Sequence, residues 1–288
     1  HVGAFYLMIM HKNIWRGIRN MEAFVLTSEN YYSQEANKEY LSVSQYKQFV
    51  GTYGRRGCEF TALEELNGRW QQKKNSGMMI GSYVDSYVEG TLDKFKQDNP
   101  DIFKRDGSLK ADFAKAEQVI ARIERDPFFM STLAGEKQVI MTGELFGAKW
   151  KIKMDSYLPG TAIVDLKVMA SLTEHKWVKD LGYLEFIRYW GYDIQGAIYQ
   201  EIVRQNTGLK LPFYISGVSK EEEPDIRVIQ IEQNFLDEAL AAVEANMPRI
   251  IQLRNGEVEP DRCEMCDCCR HHRVLTAPIS LSMLNASI

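Results

Sequence analysis

The sequence predicts an α/β protein, with a mixed central β-sheet flanked by helices and a helical part ahead of it. Three observations carry this. Helical patterns fill the first part of the chain, strand-like alternation appears in the middle, and helices and strands then alternate as far as residue 255. The 288 residues are 45% hydrophobic and 26% charged, which is ordinary for a globular chain and enough for one large domain. No run of about 18 apolar residues occurs, so no transmembrane helix is expected.

In chain order, Ser42 or Ser44 is a candidate N-cap for a short helix, because a serine hydroxyl can accept from a free backbone N–H of the first turn. A second helix over 58–67 stops at Gly68. A longer one over 77–98 stops before Pro100. On it Asp85 and Glu89 stand four apart on one face, which an exposed acidic surface would explain as well as a site. Residues 99–110 form a loop rich in Asp, Lys, Gly and Pro. A helix over 111–126 buries Phe113, Ala116, Ile120 and Ile123 and closes at Pro127. A strand at 138–144 leads through Phe146 and Gly147 into a hairpin with its turn at Pro159-Gly160. In its first arm Trp150, Ile152 and Met154 share one face, while Lys149, Lys151, Lys153 and Asp155 share the other, wet face. In its second arm Val164, Leu166 and Val168 point one way, Asp165 and Lys167 the other. A long helix over 184–206 ends at Gly208. Strands at 213–219 and 227–232 follow, and a helix over 235–255 ends at Gly256.

The hairpin is the chemical centre. A turn centred on Gly160 sets Asp155 opposite Asp165, with Cβ atoms roughly 5 Å apart. Two carboxylates that close repel unless a cation lies between them. Hard oxygen donors suit Mg²⁺ or Mn²⁺, which bind one or two carboxylates together with substrate phosphate and can generate a hydroxide nucleophile. Lys167 beside them would orient the water or neutralise charge. Two acids and a lysine on one face therefore suit phosphodiester cleavage, and a merely solvated charged face fits the same pattern. On the helix that follows, Arg188, Tyr192, Gln195 and Tyr199 recur at spacings of four, three and four, opposite an apolar side of Ile187, Trp190, Ile194, Ala197 and Ile198. Such a stripe suits contact with phosphates and bases, or is an exposed face with half-packed tyrosines.

A net charge of −4 argues against a protein that coats nucleic acid non-specifically, but not against a basic groove beside acidic metal ligands. Of five cysteines, four lie within 263–269. That spacing is poor for a secreted disulfide framework and better for a metal cluster in a reducing, cytoplasmic setting. Residues 1–20 begin without Met and carry an apolar patch with no small-residue cleavage site after it. They read as upstream or added sequence, with a natural start at Met21.

Asp155, then Asp165-Leu166-Lys167, then Gln195 and Tyr199 on the following helix resemble the PD-(D/E)xK nuclease superfamily, in particular its RecB-like branch. The stretch 30–49 and the tail with Cys263, Cys266 and Cys269 further resemble phage and prophage exonucleases of the RecE type (exodeoxyribonuclease VIII, PDDEXK-like). The resemblance covers residues 21–288 and implies one exonuclease domain with a restriction-endonuclease-like core. It divides into a helical part at 42–126, a catalytic core at 136–256 and a Cys-rich tail at 262–288.

The resemblance also implies roles. Asp155 and Asp165 match metal-binding acids, the Leu166 carbonyl a further ligand, Lys167 the catalytic lysine, and Gln195 and Tyr199 a nucleic-acid-contacting pair. The family places His as a metal ligand on the preceding helix, at the end of Gly-x-x-x-His. Here Gly81 is followed by Asp85, a competent hard ligand for Mg²⁺. Some relatives hold an iron–sulfur cluster on one N-terminal and three C-terminal cysteines. Cys58, Cys263, Cys266 and Cys269 fit that arrangement, or a tetrahedral Zn²⁺, with Cys268 as an extra. The expected activity is Mg²⁺- or Mn²⁺-dependent digestion of double-stranded DNA ends from the 5′ side, by a homo-oligomer working with a phage single-strand annealing protein in the bacterial cytoplasm. Rival readings are a nuclease on single-stranded or structured DNA, a non-catalytic DNA-binding relative, and a structural phage protein.

Overall fold

The computed structural model describes residues 24–73 and 75–281; the expected extension at 1–20, the Met21 start and the end of the tail at 282–288 lie outside the described residues. Helices α1 (Gln34–Glu39) and α2 (Val43–Val50) come first, then a short ladder of β1 (Gly51–Thr52) and β2 (Arg55–Arg56), and α3 (Glu59–Leu66). Helices α4 (Ser76–Val88), α5 (Leu92–Asp98), α6 (Ala111–Glu124) and α7 (Pro127–Thr132) follow. Strands β3 (Val139–Leu145), β4 (Ala148–Met154), β5 (Ser156–Leu158) and β6 (Ala162–Met169) precede a small hairpin of β7 (Lys176–Val178) and β8 (Gly182–Leu184). The rest is α8 (Phe186–Tyr189), α9 (Tyr192–Thr207), β9 (Phe213–Ser219), β10 (Ile226–Gln230), α10 (Gln233–Asn255) and α11 (Asp267–His271). Among the described residues no helix is long and apolar enough to cross a membrane.

The central sheet runs β10-β9-β6-β5. Strands β6 and β9 are parallel, with Asp165 beside Ile215, and the other two pairings are antiparallel, which makes the sheet mixed as expected. One face carries Ile163, Phe213 and Ile215 into a core with Ala197, Ile198, Ile202 and Val243 of α9 and α10. The other face carries Val164, Leu166 and Val218 into a second core with Val84, Ile120 and Ile123 of α4 and α6. Both faces of β6 are therefore covered, and a polar side chain on it must find partners or line a cleft.

The structure corrects four local expectations. The first arm of the expected hairpin pairs with β3, not with β6: Lys149 to Met154 face Glu144 to Val139. Only Ser156, Tyr157 and Leu158 pair with β6, opposite Val164, Ile163 and Ala162. This register is centred on Gly160, and one step further would set Asp155 against Asp165, but Asp155 occupies the bend between β4 and β5. The lysine face of β4 is not wet throughout: Lys149 is exposed, but Lys151 is not. Lys151 is 1% exposed, because Leu41 binds the β4 backbone on both sides of Trp150 and the Lys151 ammonium donates to Asn37 Oδ1 (2.8 Å) and to the Tyr31 carbonyl. The helix expected over 77–98 is two, α4 and α5, divided at Gly90, whose φ of +75° suits glycine. The helix expected over 184–206 is likewise α8 and α9, divided at Gly191 with φ +66°.

Candidate active site and cysteine cluster

The bend at Asp155 makes the site. Beyond Val164, β5 no longer covers the edge of β6, and β4 turns away toward β3. The fork opens a cleft of about 810 Å³ lined by Asp85, Glu89, Asp155, Asp165, Leu166, Lys167, Gln195 and Tyr199, with Lys47, Lys151 and Lys153. Four separate elements thus bring Asp85 (α4), Asp155 (the bend), Asp165 with Lys167 (β6) and Gln195 with Tyr199 (α9) into one space.

Their bonds are specific. The Leu166 N–H donates to Asp155 Oδ2 at 3.0 Å, which fixes the bend against β6. Gln195 Nε2 donates to Asp165 Oδ1 at 2.6 Å, and Lys167 forms an ion pair with Asp165 Oδ2. The Lys167 ammonium also lies 5.1 Å from the centre of the Tyr192 ring, within cation–π range. Tyr199 donates its hydroxyl to the Lys153 carbonyl at 3.0 Å. Gln195 and Tyr199 therefore already have partners within the protein, one on a cleft acid and one on the strand that leads to Asp155.

Arg188 is not part of this group. The break at Gly191 puts it on α8, where it forms an ion pair with Glu185 and stacks over Phe235 at 5.1 Å. The stripe expected from Arg188 to Tyr199 is cut at that break, and the Tyr192 hydroxyl turns to Met169 Sδ at 3.3 Å.

The electrostatics record unmatched negative charge. Burial, then Asp165 and Asp85 nearby, hold the Asp155 carboxyl well above its ordinary value. Burial raises Asp85 to about 7; Lys167 opposes this, and Asp165 and Glu89 add to it. Burial alone would lower the Lys167 ammonium, but Asp165, Tyr192 and Asp155 more than reverse that and keep it charged. Three carboxylates lining one cleft are hard-oxygen donors, and their mutual repulsion is what a divalent cation relieves. The donor chemistry suits such an ion, with both Asp165 oxygens engaged by Gln195 and Lys167.

Sequence reasoning passed over Lys47. It projects from α2 into the cleft, 5.2 Å from the Tyr192 ring centre, with its ammonium donating to the Trp190 carbonyl at 3.0 Å. Burial, followed by the nearby Lys167, pulls it down to about 7. The available signal was its place one turn beyond Ser42, which caps α2 in a reciprocal capping box with Gln45. Lys153, over the rings of Tyr31 and Tyr32, is another cleft cation given no role from sequence.

The second constellation lies elsewhere. Cys58, at the start of α3, meets Cys263, Cys266 and Cys269, with all four sulfurs within 4.8 Å of one another. Cys58 is 3.6 Å from Cys269, Cys263 is 3.9 Å from Cys269, and Cys266 is 4.0 Å from Cys58. Backbone N–H groups of Met265 and Cys266 point at the Cys263 sulfur, and that of Cys269 at the Cys266 sulfur. Cys268 stands outside the group, with its sulfur 3.7 Å from His272 Nδ1. Four converging thiols form a donor set that fits a metal ion.

A family model for a PDDEXK-like domain of unknown function (DUF3799) matches residues 42–272, a span that includes the cleft and all four clustered cysteines. The chain belongs to this PDDEXK-like family. Among solved structures, one from Eubacterium rectale described as "Putative exonuclease" is 69% identical. It covers 92% of this chain and 100% of its own, with a TM-score of 0.91. Another, SSO0001, is 13% identical over 77% of this chain and 96% of its own, with a TM-score of 0.32, too low to carry an argument. No curated protein matches the sequence. Fold and family thus agree with the PD-(D/E)xK superfamily indicated by the motifs.

Proposed function

We propose that this chain is a metal-dependent DNA exonuclease that hydrolyses phosphodiester bonds at duplex ends, from 5′ to 3′. The observation that carries the reading is the meeting of Asp85, Asp155 and Asp165 with a charged Lys167 in one open cleft. The likeness to the Eubacterium rectale protein supports it. Asp85, Asp155, Asp165 and the Leu166 carbonyl would hold Mg²⁺ or Mn²⁺. Bound there, the ion would supply an activated water and neutralise charge on the phosphate oxygens. Lys167 is a fixed positive charge beside the scissile phosphate, Gln195 orients Asp165, and Lys47 and Lys153 contact the strand. The biological setting that fits is RecE-type phage recombination in a bacterial cytoplasm, with a homo-oligomer passing single strands to an annealing protein.

At the cysteines we infer one tetrahedral ion such as Zn²⁺. With Zn–S bonds of about 2.3 Å, the sulfurs of a tetrahedral site stand roughly 3.8 Å apart. Three of the six separations, 3.6 to 4.0 Å, fit that edge, and all six lie within 4.8 Å. A four-iron cluster places a separate iron behind each thiolate and needs a wider cage.

The test is digestion of end-labelled linear duplex in Mn²⁺, beside a covalently closed circle. Linear DNA shortened from the 5′ end, with the circle intact, is the expected result. Asp165→Ala and Lys167→Ala should each abolish digestion without changing the circular dichroism spectrum. Full activity in either variant would refute the site, and cutting of the circle would replace the exonuclease with an endonuclease.

A further inference from the structure

The ladder of β3 and β4 is interrupted at the fork. It runs as far as Val139 opposite Met154, and the two chains meet again at Glu136 and Tyr157, which exchange backbone hydrogen bonds of 2.8 and 2.9 Å. The register is the same on both sides of the gap, so Gln138 stands across from Asp155. Gln138 also lines the acidic cleft.

Two features of Gln138 are unfavourable by themselves. Its φ is +53°, in the left-handed region where a residue with a Cβ is strained. Among the described residues the other non-glycine cases are Phe146, Asp180 and Glu264. Phe146 and Asp180 occupy hairpin turns and Glu264 the loop between the cysteines, where the chain bends sharply. Gln138 has paired backbone on either side and no such reversal to make. In addition, its side-chain Oε1 is buried with no hydrogen-bond partner. Gln195, in the same cleft, gives its amide to Asp165 at 2.6 Å. Buried acceptors are nearly always paired, and residues held in strained conformations cluster where a ligand is bound. A bend alone would be better served by glycine, which adopts this φ freely.

The ligand that fits is a hard cation. An amide carbonyl oxygen is a competent donor to divalent ions, and it adds coordination without a fourth negative charge beside Asp85, Asp155 and Asp165. We propose that the Gln138 side-chain oxygen is a further donor to the divalent ion of the cleft, so that the segment leading into β3 completes the site. This rests on the metal-dependent reading of the cleft, but it is measured by ion binding without DNA.

The probe is Mn²⁺, titrated into the full chain and followed by the loss of the free ion's electron paramagnetic resonance signal. Asp165→Ala should abolish the binding and so identifies the cleft ion. Gln138→Gly should weaken it by about tenfold or more, with the melting temperature of the metal-free protein unchanged or raised. Gln138→Met keeps the length and the left-handed backbone but lacks the oxygen. It should lose the same affinity, and it serves if the glycine variant fails to fold. Gln138→Glu keeps an oxygen and should bind at least as tightly as the unmodified chain. Affinity within twofold of the original in the folded Gly or Met variant, or a Glu variant as weak as these, would overturn the assignment and leave Gln138 as part of the bend. If Asp165-dependent binding is present, that result leaves the nuclease reading standing. Its absence from the unmodified chain would sink the metal-dependent reading and this inference with it.

Discussion

The acidic cleft and the cysteine cluster both gather side chains from distant parts of the chain, yet they are built in opposite ways. The cleft uses oxygen donors on a forked sheet and a helix and sets lysines beside them. The cluster uses sulfur donors, is closed by backbone N–H groups, and ties α3 to the tail that follows α10. Open oxygen sites leave room for substrate, whereas closed thiolate sites hold structure. The contrast assigns chemistry to one region and stability to the other, and it can be broken by moving either property to the wrong region.

The largest expected effect is on activity. Asp155→Asn should lower Mn²⁺-dependent cleavage by on the order of 10²–10³-fold while raising, or leaving unchanged, the melting temperature of the metal-free protein. It removes a carboxyl whose charged form is disfavoured by burial and by Asp165 and Asp85 nearby. Scanning calorimetry beside an end-labelled digestion assay reads both. A large fall in melting temperature with activity intact would reverse the two assignments.

Next is stability. Cys266→Ser should release the metal and lower the melting temperature by roughly 5–10 °C, the size expected for losing at least about 3 kcal/mol in a domain of this length. Residual activity below that temperature should persist. Elemental analysis should find one zinc per chain. A brown protein with iron would replace the single ion by a cluster.

The contrast also fixes a pH dependence. A carboxyl whose folded pKa lies above its unfolded one binds more protons in the folded state, so folding weakens as pH rises between the two values. For Asp85 that window runs from 3.8 to about 7. Metal-free protein should therefore lose stability across it, by roughly a few degrees in melting temperature, and Mn²⁺ at pH 8 should restore the loss. Asp85→Asn should flatten the slope. Melting curves in EDTA at pH 5, 6, 7 and 8 test this, and a slope unaltered by the substitution would remove Asp85 from the group.

The comparison also shows why some of this was legible in the sequence and some was not. Asp155, Asp165 and Lys167 could be singled out because strand periodicity and a Pro-Gly turn suggest a local register, which the structure keeps for Ser156 to Leu158 but not for Asp155. Cys263, Cys266 and Cys269 were singled out by spacing, whereas Cys58, some two hundred residues away, was joined to them only by the family resemblance. The fork at Asp155 was invisible, because alternation is the same whether an arm pairs with β3 or β6. Lys151 looked wet for the same reason: period two names a face without saying what covers it. The break at Gly191 was missed because a glycine inside a helical pattern is often tolerated, and here the left-handed conformation it adopts is what removes Arg188 from the cleft.

The smallest effect separates positioning from contact. Tyr199 is buried and donates to the Lys153 carbonyl, one residue before the end of β4 and two before Asp155. If its work is to hold that strand at the fork, Tyr199→Phe should cost about 1 kcal/mol, or roughly 2–4 °C, and lower kcat modestly with DNA affinity unchanged. If its hydroxyl instead meets a phosphate, affinity should fall and its salt dependence should weaken, while the melting temperature holds. Anisotropy on duplex DNA at several salt concentrations, beside a melting curve, separates the two. Gln195→Ala is the matching case on Asp165, where a loss in kcat without a loss in affinity would place both residues behind the reacting groups rather than among them.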